Sequence, residues 1–225
     1  MVSRPPGQWQ AATWDDYIHC CATLDTEQFR LFFHQESLLV VEMGWEGIDH
    51  ATICDLLTMM LGFWFGAHPE QIASSLGRCL LEKEKDVAGA PDIVLYSDIV
   101  LYLGEDYPQW QPGEPRRIDL NRWRAPDLVG EVSDTTLAGD LDEKKQLYAA
   151  LGIPEYWVID VRGQRVFAFA LQAGGKYQPC EQSQILSGLP IALLEQTLAQ
   201  LERASNISAA LWFSQQISTS ANLDS

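Results

Sequence analysis

Glu131 and Lys144, with Asp92 upstream, are the residues of this chain whose types and spacing could do chemistry together. Glu131 lies in Pro126-Asp127-Leu128-Val129-Gly130-Glu131-Val132-Ser133, and Lys144 follows a loop in Asp140-Leu141-Asp142-Glu143-Lys144-Lys145-Gln146-Leu147-Tyr148. Winding the second segment at about 100° per residue puts Leu141, Leu147, Tyr148 and Leu151 on one apolar stripe. Lys144 falls near the middle of that stripe, and Lys145 lies roughly a quarter turn away. A lysine aimed at a core needs an anionic partner or a task, because an unpaired buried charge is costly. Glu131 is the natural partner.

The dipeptide Pro-Asp occurs at 91–92 and again at 126–127, each time opening an apolar run. Strand parity puts Asp127 and Glu131 on one face, but four residues of strand separate their carboxylates by about 13 Å, too far to chelate one ion. Asp92, on a different strand, could stand beside Glu131 at the interstrand spacing of about 4.8 Å. Two carboxylates so placed suit a Mg²⁺ ion that keeps several waters and takes phosphate oxygens. The lysine would then orient or deprotonate the attacking water, or neutralise the charge of the transition state. On the residues alone a second reading stands level: Asp92 caps a turn, and Glu131 and Lys144 form a buried ion pair. A glycosidase-like carboxylate pair is a poorer account, because it gives Lys144 no task.

Positioning these residues requires one sizeable core, which 225 residues with 47% hydrophobic composition can supply. No apolar run suggests a membrane span, and the N-terminus has no signal-peptide character. Five cysteines without a CxxC pair or zinc spacing read as reduced thiols of a cytoplasmic protein. The formal charge of −16 opposes tight nonspecific binding of duplex nucleic acid. Any nucleic-acid role must rest on a local basic patch and on metal ions.

Along the chain, Thr13 is the N-cap of a short helix. Phe29–Phe33 and Leu38–Met43 read as a hairpin, and Asp49 caps a long apolar helix to Phe65. Strands are expected at Leu80-Leu81, at Ile93–Tyr96, around Glu131, at Glu155–Asp160 and at Arg165–Leu171. Residues 104–125 form a long connection. A last amphipathic helix covers about Pro190–Arg203, and the tail from Ser214 reads as frayed. The alternation of strands and helices predicts an α/β fold with a mixed central β-sheet flanked by helices. A helical extension (1–27) and a tail (204–225, partly disordered) bracket the main domain (28–203).

A Pro-Asp entering one strand, an acid on the next and a following lysine resemble the PD-(D/E)xK nuclease superfamily. The sequence is more closely similar to the Uma-type family of restriction-endonuclease-like proteins, abundant in cyanobacteria. The matching residues are the 126–133 run, then Asp140, Lys144 and Tyr148, then Gly152-Ile153-Pro154-Glu155-Tyr156-Trp157-Val158-Ile159-Asp160. The resemblance spans roughly residues 28–200. It implies a restriction-endonuclease-like fold and a Mg²⁺- or Mn²⁺-dependent endonuclease hydrolysing phosphodiester bonds. Asp92 and Glu131 would hold the metal, with the carbonyl of Val132 as a further ligand, and Lys144 would serve the water or the transition state. In the wider superfamily the lysine lies two residues after the acid. Here that place is Ser133, and Lys144 on the following helix takes over the role, braced by Tyr148 one turn on. Where relatives carry a glutamate in a stretch like Tyr-Glu-Leu-Ile-Asp-Gly, this chain has Phe29-Arg30-Leu31-Phe32-Phe33. Glu42 is a weak substitute.

His50, where the family also tends to have histidine, is a supporting candidate beside a bland reading as a hydrogen-bonded helix-start residue. Arg116, Arg117, Arg122 and Arg124, with Trp123 among them, form the one basic concentration in the chain. They either track phosphates and stack a base or neutralise nearby acids. Tyr156 and Trp157 read as core. The expected partner is nucleic acid, DNA foremost, with no membrane. A homodimer would suit cleavage of two strands. The alternative is a catalytically inactive nuclease-fold protein acting as a nucleic-acid-associated or protein-interaction module.

Overall fold

The computed structural model describes residues 7–25, 28–42, 47–76, 79–83, 87–89, 100–114 and 117–221. Its first helix starts as the sequence requires. Thr13 Oγ1 accepts the Asp16 N–H at 3.2 Å and Asp16 Oδ2 accepts the Thr13 N–H at 2.8 Å, a reciprocal capping box. This helix, α1 (Trp14–Thr23), follows a short strand, β1 (Trp9–Ala11). It lays Tyr17 on the hairpin β2 (Phe29–His34) and β3 (Ser37–Glu42), against Leu31, Phe33, Leu38 and Val40. The expected N-terminal extension is thus packed on the main body. Gln35 and Glu36 both take positive φ, 47° and 54°. That is the left-handed pair a two-residue hairpin loop demands.

Twelve strands among the described residues form two six-stranded sheets. The first has the order β1-β3-β2-β6-β5-β8, with β5 (Leu80–Lys83), β6 (Val87–Gly89) and β8 (Arg117–Asp119) completing it. The second has the order β12-β11-β10-β9-β7-β4. Its strands are β4 (Ala73–Leu76), β7 (Val100–Leu103), β9 (Leu128–Ser133), β10 (Glu155–Asp160), β11 (Arg165–Leu171) and β12 (Tyr177–Pro179). Within it only β9 and β10 run parallel, and the other pairs are antiparallel. The mixed sheet flanked by helices is as expected. A second sheet facing it is what the strand reading did not separate.

Side-chain alternation divides the core. On β9 and β10, Leu128, Val132, Trp157 and Ile159 face α2 (Ile48–Ala67), α5 (Ile191–Ala199) and α6 (Asn206–Ala221). Val129, Tyr156 and Val158 face the other way, toward Phe32, Leu39, Leu81 and Ile118 of the first sheet. Tyr156 and Trp157 are core on opposite faces. Glu131 shares the parity of Val129, so it too points between the sheets.

Two expectations are corrected, and a third falls outside the described residues. Residues 214–221, expected to be a frayed tail, continue α6, which buries Phe213 and Ile217 against α2. Its apolar i, i+4 spacing supplies the packing face that its serines obscured. Asp49 lies within the first turn of α2, whose N-cap is Gly47. α2 is also, by length and composition, the one described helix long and apolar enough to cross a membrane. Here it buries Ile53, Cys54, Leu56, Leu57, Met60 and Trp64 in the helical core. The strand expected at Ile93–Tyr96 lies outside the described residues.

Candidate active site

β9 delivers Glu131 to the centre of the molecule, and the helix that follows delivers its partner. That helix is wound in three parts: α3 (Leu137–Gly139), a π-wound turn at Asp140–Lys144, and α4 (Lys145–Ala150). A π-turn holds one residue more than an α-turn and is common at functional sites. Gly152, at φ 75°, ends the helix. The Ile153 N–H reaches the Tyr148 carbonyl at 3.2 Å and the Gly152 N–H reaches Ala149 at 3.0 Å, a Schellman-type closure before Pro154 and β10. The helix is therefore clamped between two parallel strands, with its buried stripe fixed.

Lys144 lies on that stripe. Its Nζ is 2.9 Å from Glu131 Oε2 and 2.7 Å from Asp140 Oδ1. The two carboxylate side chains are 1% exposed and the lysine 16%. The ammonium also sits 5.4 Å from the centre of the Phe32 ring, on the facing sheet. Lys145 points elsewhere, with its ammonium 4.5 Å from the centre of the Phe169 ring.

Tyr148 donates its hydroxyl to Glu131 Oε1 at 2.6 Å. It braces the carboxylate, where the sequence reading had it bracing the lysine. Ser133 donates to Asp140 Oδ2 at 2.5 Å, and Thr136 donates to the same oxygen at 2.6 Å. The residue standing at the superfamily's lysine position thus ties the strand end to the π-turn. Asp140 matches the family pattern in the sequence but has no role assigned to it there. It is fully buried, and its Oδ1 meets Lys144 as an ion pair without hydrogen-bond geometry. Its spacing of i, i+4 from Lys144 was the available signal.

Asp140 and Lys144 line a cleft of about 460 Å³ at the carboxyl end of β9. Its opposite wall is the β2–β3 hairpin, contributing Arg30, Phe32 and Glu42, and His50 from α2 closes one end. His50 is buried, with Nδ1 3.6 Å from Cys54 Sγ. Asp92 lies outside the described residues. β10 takes the Asp127 and Ser133 carbonyls through the N–H groups of Glu155 and Val161. Alternation along β9 therefore directs the Val132 carbonyl to the other side, that of β7.

Arg117, Arg122 and Arg124 are not among the residues that line this cleft. Arg124 reaches Asp127 Oδ2 at 2.8 Å and the Leu103 carbonyl at 2.5 Å, at the opposite end of β9, and Asp127 also accepts the Leu103 N–H. Arg117 pairs with the buried Glu82 at 3.3 Å, and Arg122 pairs with Glu114. Trp123 packs against the intersheet core. Arg116 lies outside the described residues.

A family model described as Uma2, "Putative restriction endonuclease", matches residues 14–208. The chain belongs to the Uma2 family. Among solved structures, the fold is similar to that of "a putative nuclease belonging to DUF820" from Anabaena variabilis. The TM-score is 0.55 at 18% identity, over 83% of this chain and 98% of that one. None of the curated proteins matches the chain. The cleft lined by Asp140 and Lys144, with Glu131 buried behind the lysine, is where this Uma2 chain combines buried charge with an open approach.

The donors there suit a hard divalent cation in kind. Glu131 and Asp140 offer oxygen, and Asp140 Oδ1 is a buried oxygen with no hydrogen-bond donor. Two carboxylates against one ammonium also leave the trio, when all are ionised, with one negative charge in excess. In number they fall short: among the described residues no three His, Cys, Asp or Glu side chains converge. A further acid, such as Asp92, is needed.

Proposed function

We propose that this Uma2 domain is an endonuclease that hydrolyses phosphodiester bonds of nucleic acid, DNA foremost, with Mg²⁺ or Mn²⁺. The observation that carries the reading is the buried Lys144 ammonium held between Glu131 and Asp140 beside an open cleft. A carboxylate–lysine cluster that is buried yet borders an open cleft is placed where a substrate can meet it, as a fully enclosed pair is not.

In this reading Glu131, Asp92 and the Val132 carbonyl hold the metal, which supplies an activated water and a counter-charge for the phosphate. Tyr148 fixes the orientation of Glu131. Lys144, held by Asp140 and so indirectly by Ser133 and Thr136, keeps a positive charge at the place where negative charge grows in the transition state. His50 supports the cleft wall. Arg116, Arg117, Arg122 and Arg124 contact the nucleic acid beyond the cleft, and a homodimer in the cytoplasm would cut both strands.

Calorimetric titration of Mg²⁺ or Mn²⁺, run beside a cleavage assay on single-stranded, duplex and branched substrates, tests this reading. Wild type should bind the ion and cleave, and Glu131→Gln should do neither. Asp92→Asn should behave like Glu131→Gln, with Asp98→Asn, the other acid of residues 90–99, as the comparison. A second reading, a nuclease fold that binds without cutting, is favoured by the pairing of Arg117, Arg122 and Arg124 with acids and by the −16 charge. Clean wild-type protein that cuts none of the substrates with either ion would establish it over the first.

A further inference from the structure

We infer that Arg30 is the phosphate-gripping residue of the cleft, taking the phosphate next to the one that Lys144 serves. This rests on the nuclease reading and adds a residue from the facing sheet to it. Arg30 and Phe32 are two residues apart on β2, so their side chains leave the same face of the strand. Phe32 is the ring beneath the Lys144 ammonium. One strand step of two residues, roughly 7 Å, therefore sets the start of the Arg30 side chain beside the lysine in the same cleft, and both residues line it.

The rest of the lining makes the arginine necessary. Glu42, Asp134, Asp140 and Glu143 all border the space, so carboxylates outnumber Arg30 and Lys144 there. A polyanion entering it meets repulsion unless each phosphate finds a cation. The ammonium of Lys144 is already engaged by two carboxylates. A guanidinium is the group suited to a second phosphate, because its planar donors grip two oxygens at once. The cleft thus draws its charge from both sheets, with the lysine from the helix behind β9 and the arginine from the hairpin opposite. Among the described arginines of the 104–125 connection, Arg124 lies at the other end of β9, and Arg117 and Arg122 do not line the cleft.

The test is fluorescence anisotropy of a labelled oligonucleotide of about a dozen nucleotides, single-stranded and duplex, in Ca²⁺ so that binding is read without hydrolysis. Arg30→Ala should weaken binding about tenfold, the order expected for one charge-assisted phosphate contact. It should also flatten the slope of log K against log salt by about 0.7–0.9, the signature of one lost phosphate contact. Arg30→Lys should restore the slope and part of the affinity. Arg165→Ala, an arginine over Phe167 on β11, controls for the loss of a positive charge elsewhere. Equal affinity and slope in Arg30→Ala and wild type would overturn the inference, as would a loss no larger than that of Arg165→Ala. An affinity loss with an unchanged salt slope would overturn it as well, because that is a structural effect. Wild type that binds but never cleaves in Mg²⁺ would sink the nuclease reading while leaving the Arg30 contact measurable.

Discussion

Lys144 reaches back 13 residues in sequence to place its ammonium 2.9 Å from Glu131, joining the helix after β9 to the middle of β9 itself. The same ammonium lies 2.7 Å from Asp140, one turn earlier. A single cation thus bridges acids from two elements. Both acids are buried, so the bridge couples the folding of this region to the chemistry proposed for it.

Removing the lysine leaves two buried carboxylates without their counter-ion. Lys144→Ala should therefore lower unfolding stability by about 3–5 kcal/mol, the cost of breaking a buried pair from one side. Lys145→Ala loses only its contact with the Phe169 ring and should cost under about 1 kcal/mol. Urea denaturation of the two variants makes the comparison. Equal costs would mean that the Lys144 pairs contribute no more than surface contacts do.

Tyr148 donates to the same carboxylate at 2.6 Å from a fully buried position. Tyr148→Phe keeps the ring and removes one hydrogen bond to a charged acceptor, so about 1.5–3 kcal/mol should be lost. If Glu131 also holds the metal, freeing its Oε1 should change calorimetric Mg²⁺ affinity in the same variant. Unchanged stability and unchanged affinity together would show the hydroxyl to be irrelevant to Glu131.

Two acids give opposite pH signatures. Burial pushes the carboxyl of Glu82 up, against the opposing pull of Arg117 and the Tyr17 hydroxyl. Its contribution to stability is therefore fully present below the ordinary carboxylate value and fades as pH rises through its raised one. Glu82→Gln should flatten that fall, seen in urea midpoints measured from pH 4 to 7. Glu114 runs the other way: the Arg122 hydrogen bond, then the Gln111 N–H, hold its carboxyl below the usual range. Its contribution is present above the ordinary value and fades as pH drops. Arg122→Gln should reduce that acid-side loss, with the Gln111 N–H contact retained, and leave the Glu82 limb untouched.

The arginines of the 104–125 connection should separate by role. Arg124 reaches the Leu103 and Asp106 carbonyls and the Asp127 carboxylate, and its guanidinium lies 4.9 Å from the centre of the Tyr102 ring. Arg124→Ala should therefore lower the melting temperature by several degrees, as expected for a loss of about 1–3 kcal/mol. Arg122 is half exposed and, among the described carboxylates, pairs with Glu114, so Arg122→Ala should leave the melting temperature nearly unchanged. If this loop touches nucleic acid, Arg122→Ala should also reduce the salt slope of binding by about one contact. Thermal melts with oligonucleotide titrations would show whether either residue belongs to both groups.

The local elements were legible because their signals are local. The N-cap at Thr13, the hairpin at residues 29–42, the strands at 155–160 and 165–171 and the lysine on an apolar stripe all follow from spacing along a few turns or strand steps. That stripe, read with ordinary helical winding, put Lys144 inward and Lys145 aside, and the π-turn at Asp140–Lys144 did not alter the outcome. The family was legible as well, because its residues cluster within 126–160. What spacing along one element cannot carry is which elements meet. The division of the strands into two facing sheets, the docking of residues 206–221 onto α2, and the placing of Arg30 across from Lys144 depend on packing between segments far apart in sequence. Tyr148 belongs to Glu131, and the arginines belong to Glu82, Glu114 and Asp127, for the same reason. A buried polar group takes the partner that the tertiary fold brings within hydrogen-bond reach, whereas the sequence determines only that it must have one.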